Sequence, residues 1–226
     1  MAPLVVNSAS SVFSFNQTVT FSAFDCSGTD TLLLVQIESS RAAALPFQTP
    51  TFNGVALTLY DALGPLGGGG VGDHRIWYMI GPTGAHDVIC SLAVAGTRGT
   101  CGVVLLTGVN QTSPFGTKAQ TFANLVTTFT EGAVASAADQ LVLDFVANNN
   151  TSPTKDASQT LIYQTAVDSD CQGEASWKVG SASTVMQWTS GSAEYFGADA
   201  IPILPTGGGG GPTTGSFTGL LIGAGR

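Results

Sequence analysis

Residues 74–114, HRIWYMIGPTGAHDVICSLAVAGTRGTCGVVLLTGVNQTSP, hold three strand-like runs and the turns between them in unbroken order. His74–Ile80 stops at Gly81-Pro82-Thr83-Gly84, where Pro82 sets φ and either glycine tolerates a positive φ. His86–Val94 follows, and Ala95–Gly99 (AGTRG) supplies the glycines for a reversal into Thr100–Leu106. This spacing predicts a β-meander and, around it, an all-β chain.

The flanking sequence agrees. Val12–Phe15, Val19–Phe24 and Leu32–Ile37 are rich in β-branched and aromatic residues, and the unbroken LLLVQI run reads as a strand covered on both faces. Gly28-Thr29-Asp30 makes a turn. Arg41–Pro50 reads as a loop, because Pro46 and Pro50 stop any helical turn. Asn53-Gly54 between β-like flanks is a strong hairpin signal, and the Gly67–Gly70 run is an excursion before the central runs. Phe122–Phe129 is ambiguous: its threonines favour a strand, while its apolar spacing also fits a helical face. Leu141–Ala147, Leu161–Ala166, Ala175–Val179, Thr184–Trp188 and Tyr195–Ile203 complete a series of short runs, the later ones at intervals of about ten residues, as in sandwiches and barrels. The expected fold is an antiparallel β-sandwich of jelly-roll type over residues 1–205, followed by a Gly-rich linker and C-terminal arm over 206–226. Ser216–Ile222 in that arm is apolar, so Phe217, Leu220, Leu221 and Ile222 are interface candidates. The arm can fold back on its own sheet edge or add a strand to a neighbouring subunit.

Composition narrows the function. At 226 residues and 43% apolar content the chain can build a sizeable core. Charged residues make up only 10%, against about 25% in ordinary soluble domains, and so neutral a surface suits a protein covered by other subunits. A net charge of −8 with seven Lys and Arg disfavours nucleic acid and anionic membranes. No apolar run reaches the ~18 residues of a membrane helix, and the first residues lack a basic segment followed by an apolar block, which predicts cytoplasmic synthesis.

Chemistry is thinly signalled. Cys26, Cys90, Cys101 and Cys171 form no C-x-x-C; Cys90 and Cys101 read either as a cross-strand pair about the AGTRG turn or as buried free thiols. His74 and His86 fit no triad or zinc spacing, and His86, directly after a turn, reads as structural. Asp168, Asp170 and Glu174 crowd one connection that lacks a full Ca²⁺-loop pattern, so it reads as solvated. No catalytic residue, metal or cofactor is expected. Trp77, Trp177 and Trp188 are sandwich core or, if exposed, platforms for sugar rings.

Four segments in order, FNGVALT (52–58), RIWYMIGPTGAHDVICSLA (75–93), GVVLLTGVNQTSP (102–114) and LVLDFVANN (141–149), resemble a β-sandwich domain recurrent in tailed-phage virion proteins. Gly84-Ala85-His86 stands where that family has a Gly-Thr-His type of turn. Gly108-Val109-Asn110-Gln111-Thr112-Ser113-Pro114 matches its Gly-Val-x-Gln-Thr-x-Pro ending, and Ala175–Lys178 with Met186–Trp188 fits the same pattern. The resemblance covers roughly residues 50–200 and implies capsid decoration, tail-appendage or adhesin roles without catalysis. The expectation is therefore a decoration or cement protein on the capsid surface, bound to the major capsid protein, with a homotrimer as the favoured oligomer. The alternative is a tail-fibre or receptor-binding domain that recognises host glycans through Trp77, Trp177 and Trp188; a polysaccharide hydrolase is a remote third.

Overall fold

The structure, a computed structural model, describes residues 2–13, 18–39, 47–63, 73–94, 98–149, 152–167 and 171–207. Phe15, residues 41–46 of the expected loop, the 67–70 glycine run, the first three residues of AGTRG, Asp168, Asp170 and the arm residues Phe217, Leu220, Leu221 and Ile222 lie outside them, while Phe47–Pro50, expected as loop, belong to a strand. Among the described residues there are fifteen strands and no helix: β1 (Leu4–Phe13), β2 (Thr18–Asp25), β3 (Leu32–Ser39), β4 (Phe47–Phe52), β5 (Val55–Ala56), β6 (Thr58–Leu63), β7 (His74–Ile80), β8 (Ala85–Leu92), β9 (Gly99–Thr107), β10 (Ala119–Thr130), β11 (Leu141–Asn148), β12 (Thr154–Lys155), β13 (Thr160–Val167), β14 (Cys171–Val179) and β15 (Gln187–Ile203).

They form three antiparallel sheets. The middle sheet runs β1-β9-β3-β7-β6, a smaller one runs β2-β8-β4-β5, and a third runs β10-β15-β11-β14-β13 with β12 beside β15. Alternation within single strands explains the stacking. Leu33, Val35 and Ile37 of β3 pack with Cys101, Val103 and Leu105 of β9 against Val19, Phe24, Phe52, Val88 and Cys90 of the small sheet. Leu32, Leu34, Val104 and Leu106 point the other way, against Leu141, Leu143, Phe145, Ala175, Ile201 and Ile203. Apolar residues on both faces leave β3 and β9 no solvated side, so each is buried along nearly its whole length. The antiparallel sandwich read from the sequence is thus present, with a third layer that the sequence did not disclose.

The central meander is not formed. β7 pairs with β3 and β6, β8 with β2 and β4, and β9 with β1 and β3. Consecutive strands therefore cross between layers, and β3, from far earlier in the chain, lies between β7 and β9. Gly81 and Gly84 both take positive φ in the first of those crossings. Turn residues announced a change of direction but not which sheet the next strand would join. The Asn53-Gly54 hairpin is as expected: Phe52 pairs with Val55, and φ is 51° and 74° at the two turn residues, as a two-residue primed turn requires. The ambiguous run around Phe122 is β10, a strand on the edge of its sheet.

Candidate functional site

Polar chemistry gathers in the interior. On the middle sheet, Glu38 lies in register between His74 of β7 and Thr100 of β9, all three facing the third sheet. Gln36, one step along the same face, donates through Nε2 to Glu38 and to the Val146 carbonyl (3.0 Å), and Tyr163 donates its hydroxyl to Gln36 Oε1. Thr100 Oγ1 donates to Glu38 at 3.3 Å. Tyr163 reaches across because β9 carries Gly102 beneath it, where a methyl group would overlap the phenol ring. Burial, with Glu174 nearby, raises the Glu38 carboxyl well above its usual range. Burial alone lowers His74 to about 3, so it stays a neutral imidazole, with neither nitrogen hydrogen-bonded.

A second group sits on the far face of the third sheet. Asp144 of β11 accepts from Ser176 Oγ at 2.6 Å, Ser176 N at 2.8 Å, Trp188 Nε1 at 2.6 Å and Gln159 Nε2 at 3.3 Å. Glu131, just beyond β10, lies against Asp144, yet neither of its oxygens meets an N–H or hydroxyl donor. Two carboxyls in that relation are held by one proton between them. Burial first and then Asp144 raise Glu131 well above its usual range, so the proton resides there and the bond runs from Glu131 to Asp144. Glu174, which accepts from Asn148 Nδ2 at 2.8 Å, is likewise raised by burial. Asp199 is raised by burial too, offset by Lys118 at 3.3 Å; Lys118 also pairs with Asp61 and thereby ties β6 of the middle sheet to β15.

The sequence candidates fall as follows. Trp77 (3% exposed) and Trp188 (0%) are core residues, the second pinned by its indole N–H to Asp144, and neither ring reaches solvent to stack on a sugar. Trp177 is half-buried against the core between the middle and third sheets. A surface cleft of about 200 Å³ is lined by Pro153, Thr154, Lys155, Leu161 and Gln164, with Trp188 behind it. His86 meets the Phe52 ring edge-on at 5.5 Å, a structural contact. All four cysteines are free and buried. Cys90 and Cys101 do meet, but across two layers rather than across a hairpin, since β8 and β9 belong to different sheets. Glu174 is fully buried, which removes it from the solvated connection expected of that segment.

Sequence reading missed the buried acids, because Glu38, Glu131 and Asp144 stand singly within or beside apolar runs and carry no motif. It also missed the exposed edges. Leu4 and Val6 on β1 and Phe122 and Leu125 on β10 are 53%, 49%, 51% and 60% exposed. Leu125 has a φ of 53° at an irregularity in the β10–β15 ladder, a bulge that turns it outward. No protein-family model, curated protein or solved structure matches this chain.

Proposed function

We propose that the chain is a structural subunit of a tailed-phage particle, a decoration protein that binds the major capsid protein and reinforces the shell. The observation that carries this reading is where the charge lies. All four glutamates are buried, as are Asp73, Asp144 and Asp199, so the outside holds less charge than the 10% composition states. A domain that works alone keeps mixed charge on its surface. One that keeps its carboxyls inside and leaves Leu4, Val6, Phe122 and Leu125 outside has a surface suited to being covered. Jelly-roll kinship, the C-terminal arm with Phe217, Leu220, Leu221 and Ile222, and a trimer at local three-fold positions belong to this reading. Its mechanism is mechanical: preferential binding to the assembled shell stabilises that state by mass action, and three copies of one weak contact gain avidity.

Cryo-electron microscopy of intact particles tests it by locating the chain and counting copies. Many copies at fixed lattice positions support decoration, a few at the tail tip point to host recognition, and none on the particle overturns the reading. Host-glycan recognition has the cleft beside Leu161, together with half-buried Trp177, in its favour. Binding on a glycan array that is lost in Leu161→Ala or Trp177→Ala would establish it in place of decoration.

A further inference from the structure

The two uncharged edges have a geometric relation. β1 (LVVNSASSVF) and β10 (AQTFANLVTTFT) contain no Asp, Glu, Lys, Arg or Pro, and among the described residues each has a strand partner on one side only. Natural edge strands are normally guarded by charge, proline, brevity or a covering element, because an open ladder pairs with whatever strand it meets. The other edges here carry a charge, a cover or extreme brevity, whereas β1 and β10 carry only bulges, at Val6 and around Leu125, which leave apolar side chains outside. β6 holds Asp61, engaged by Lys118 and by Gln120 at 2.7 Å. β2 ends in Asp25 and has a bulge at Ala23, whose N–H is taken by Asp87 at 3.0 Å. β5 is two residues long. Beside β13, Gln164 closes on the Pro153 carbonyl at 2.7 Å.

The two open edges lie on opposite flanks of the stack. In the middle sheet β1 is at one end of the order and β6 at the other; in the third sheet β13 and β10 hold the corresponding ends. Thr165 of β13 bonds Ser10 of β1, which places those two strands on one flank, and Gln120 of β10 bonds Asp61 of β6, which places those two on the other. A surface on one flank cannot meet the opposite flank of its own subunit, but it can meet that of the next copy.

We propose that the edge of β1 in one copy docks on the edge of β10 in the next, Leu4 and Val6 packing with Phe122 and Leu125, in a head-to-tail contact that closes a ring of identical subunits. Charge favours a second copy as the occupant. The chain is acidic overall, with a formal charge of −8, so repulsion between like copies is least where both faces carry no charge, and these two strands satisfy that. Unlike flanks make the contact heterologous, and a heterologous contact that does not close would give open filaments. The inference deepens the assembly reading but needs only that copies meet, so it stands or falls separately from capsid binding.

The full-length chain is tested by light scattering and sedimentation, with Val6→Lys and Phe122→Lys as edge variants and Leu4→Lys and Leu125→Lys as second variants. All four sites are at the surface, and an unchanged circular dichroism spectrum and melting temperature confirm folding. Wild type is expected at a whole-number multiple of 22.9 kDa and each single variant at or near 22.9 kDa. Mixing Val6→Lys with Phe122→Lys is decisive. Each copy retains one intact edge of opposite kind, so the mixture forms a 1:1 dimer that neither variant forms alone. A wild-type monomer at high concentration overturns the proposal, as does disruption by only one of the two strands, which would mean a like-with-like contact. It is also overturned if removing residues 208–226 dissociates the assembly while the edge variants leave it intact.

Discussion

Replacing Glu131 by Gln should change how stability depends on pH, by an amount set by one proton. Glu131 is 2% exposed and lies against Asp144, and no N–H or hydroxyl donor meets its oxygens. Burial and the neighbouring acid hold its folded-state carboxyl well above the ordinary value of 4.5. Below that value the group is protonated folded and unfolded alike, and its contribution to stability is fully present. As pH rises past it, the unfolded chain releases the proton while the folded chain keeps it, so stability falls by about 1.4 kcal/mol per pH unit until the folded value is reached. For a domain of this size that is roughly 3–6 °C of melting temperature per pH unit. A Gln side chain keeps a donor towards Asp144 and has nothing to titrate. Urea unfolding of wild type and Glu131→Gln should therefore be compared from pH 4.5 upward, the contribution of the depressed His74 being common to both proteins and cancelling in their difference. The expected result is a wild-type stability that declines with pH, and a variant that declines by about 1.4 kcal/mol less per unit and overtakes it. Parallel pH profiles would refute a protonated Glu131 and, with it, the shared proton.

Gly102→Ala should destabilise the fold by about 1–3 kcal/mol, because the new methyl group overlaps the Tyr163 ring and pushes its hydroxyl off Gln36; chemical denaturation measures the loss. Asp144→Ala leaves the Trp188 indole N–H and Ser176 without their acceptor and should cost about 3 kcal/mol or more, with loss of the near-ultraviolet tryptophan signal; an unchanged melting temperature would count against the network. All four thiols should be silent to a thiol-reactive dye in the native state and titrate only in denaturant. They are buried, and burial pushes Cys26 up to about 12 and Cys101 and Cys171 well above the usual thiol value.

Periodicity and turn chemistry made the strands legible, and packing decided the rest. LLLVQI announced a strand covered on both faces, and β3 is that strand. The same signal could not say that two different sheets would cover it, because an apolar face states only that it must be buried. HRIWYMI, AHDVICSL and GTCGVVLLT were legible one by one, but their order in space depends on β3, more than forty residues earlier than β8. Glu38 illustrates the limit for chemistry. At the end of an apolar strand it reads as the point where the chain meets water, whereas the third sheet lies over it and Gln36, Thr100 and Cys171 are its neighbours. The edge strands were hidden for the opposite reason: the apolar spacing of Phe122–Phe129 does not say which residues face out, and Phe122 is outward by strand alternation while the bulge turns out Leu125.

The placement of polarity also bears on why the interior is rigid and the edges are free to act. Three apolar sheets in contact could slide past one another, since dispersion and burial are indifferent to small shifts in register. Directional bonds between layers remove that freedom. Gln36 reaches from the middle sheet to the Val146 carbonyl of the third, Tyr163 reaches back to Gln36, and Lys118 joins Asp61 to Asp199. Each bond forms in one register only, and breaking it leaves a polar group stranded in an apolar surrounding. Stability is lost by burying the acids, since burial raises Glu38, Glu131 and Glu174 well above their usual range, and what is gained is a single fixed stacking of the layers. With the layers fixed, the flanks bearing β1 and β10 keep a constant position relative to each other. A head-to-tail contact needs that constancy, because the angle between the two edges sets how many subunits close the ring.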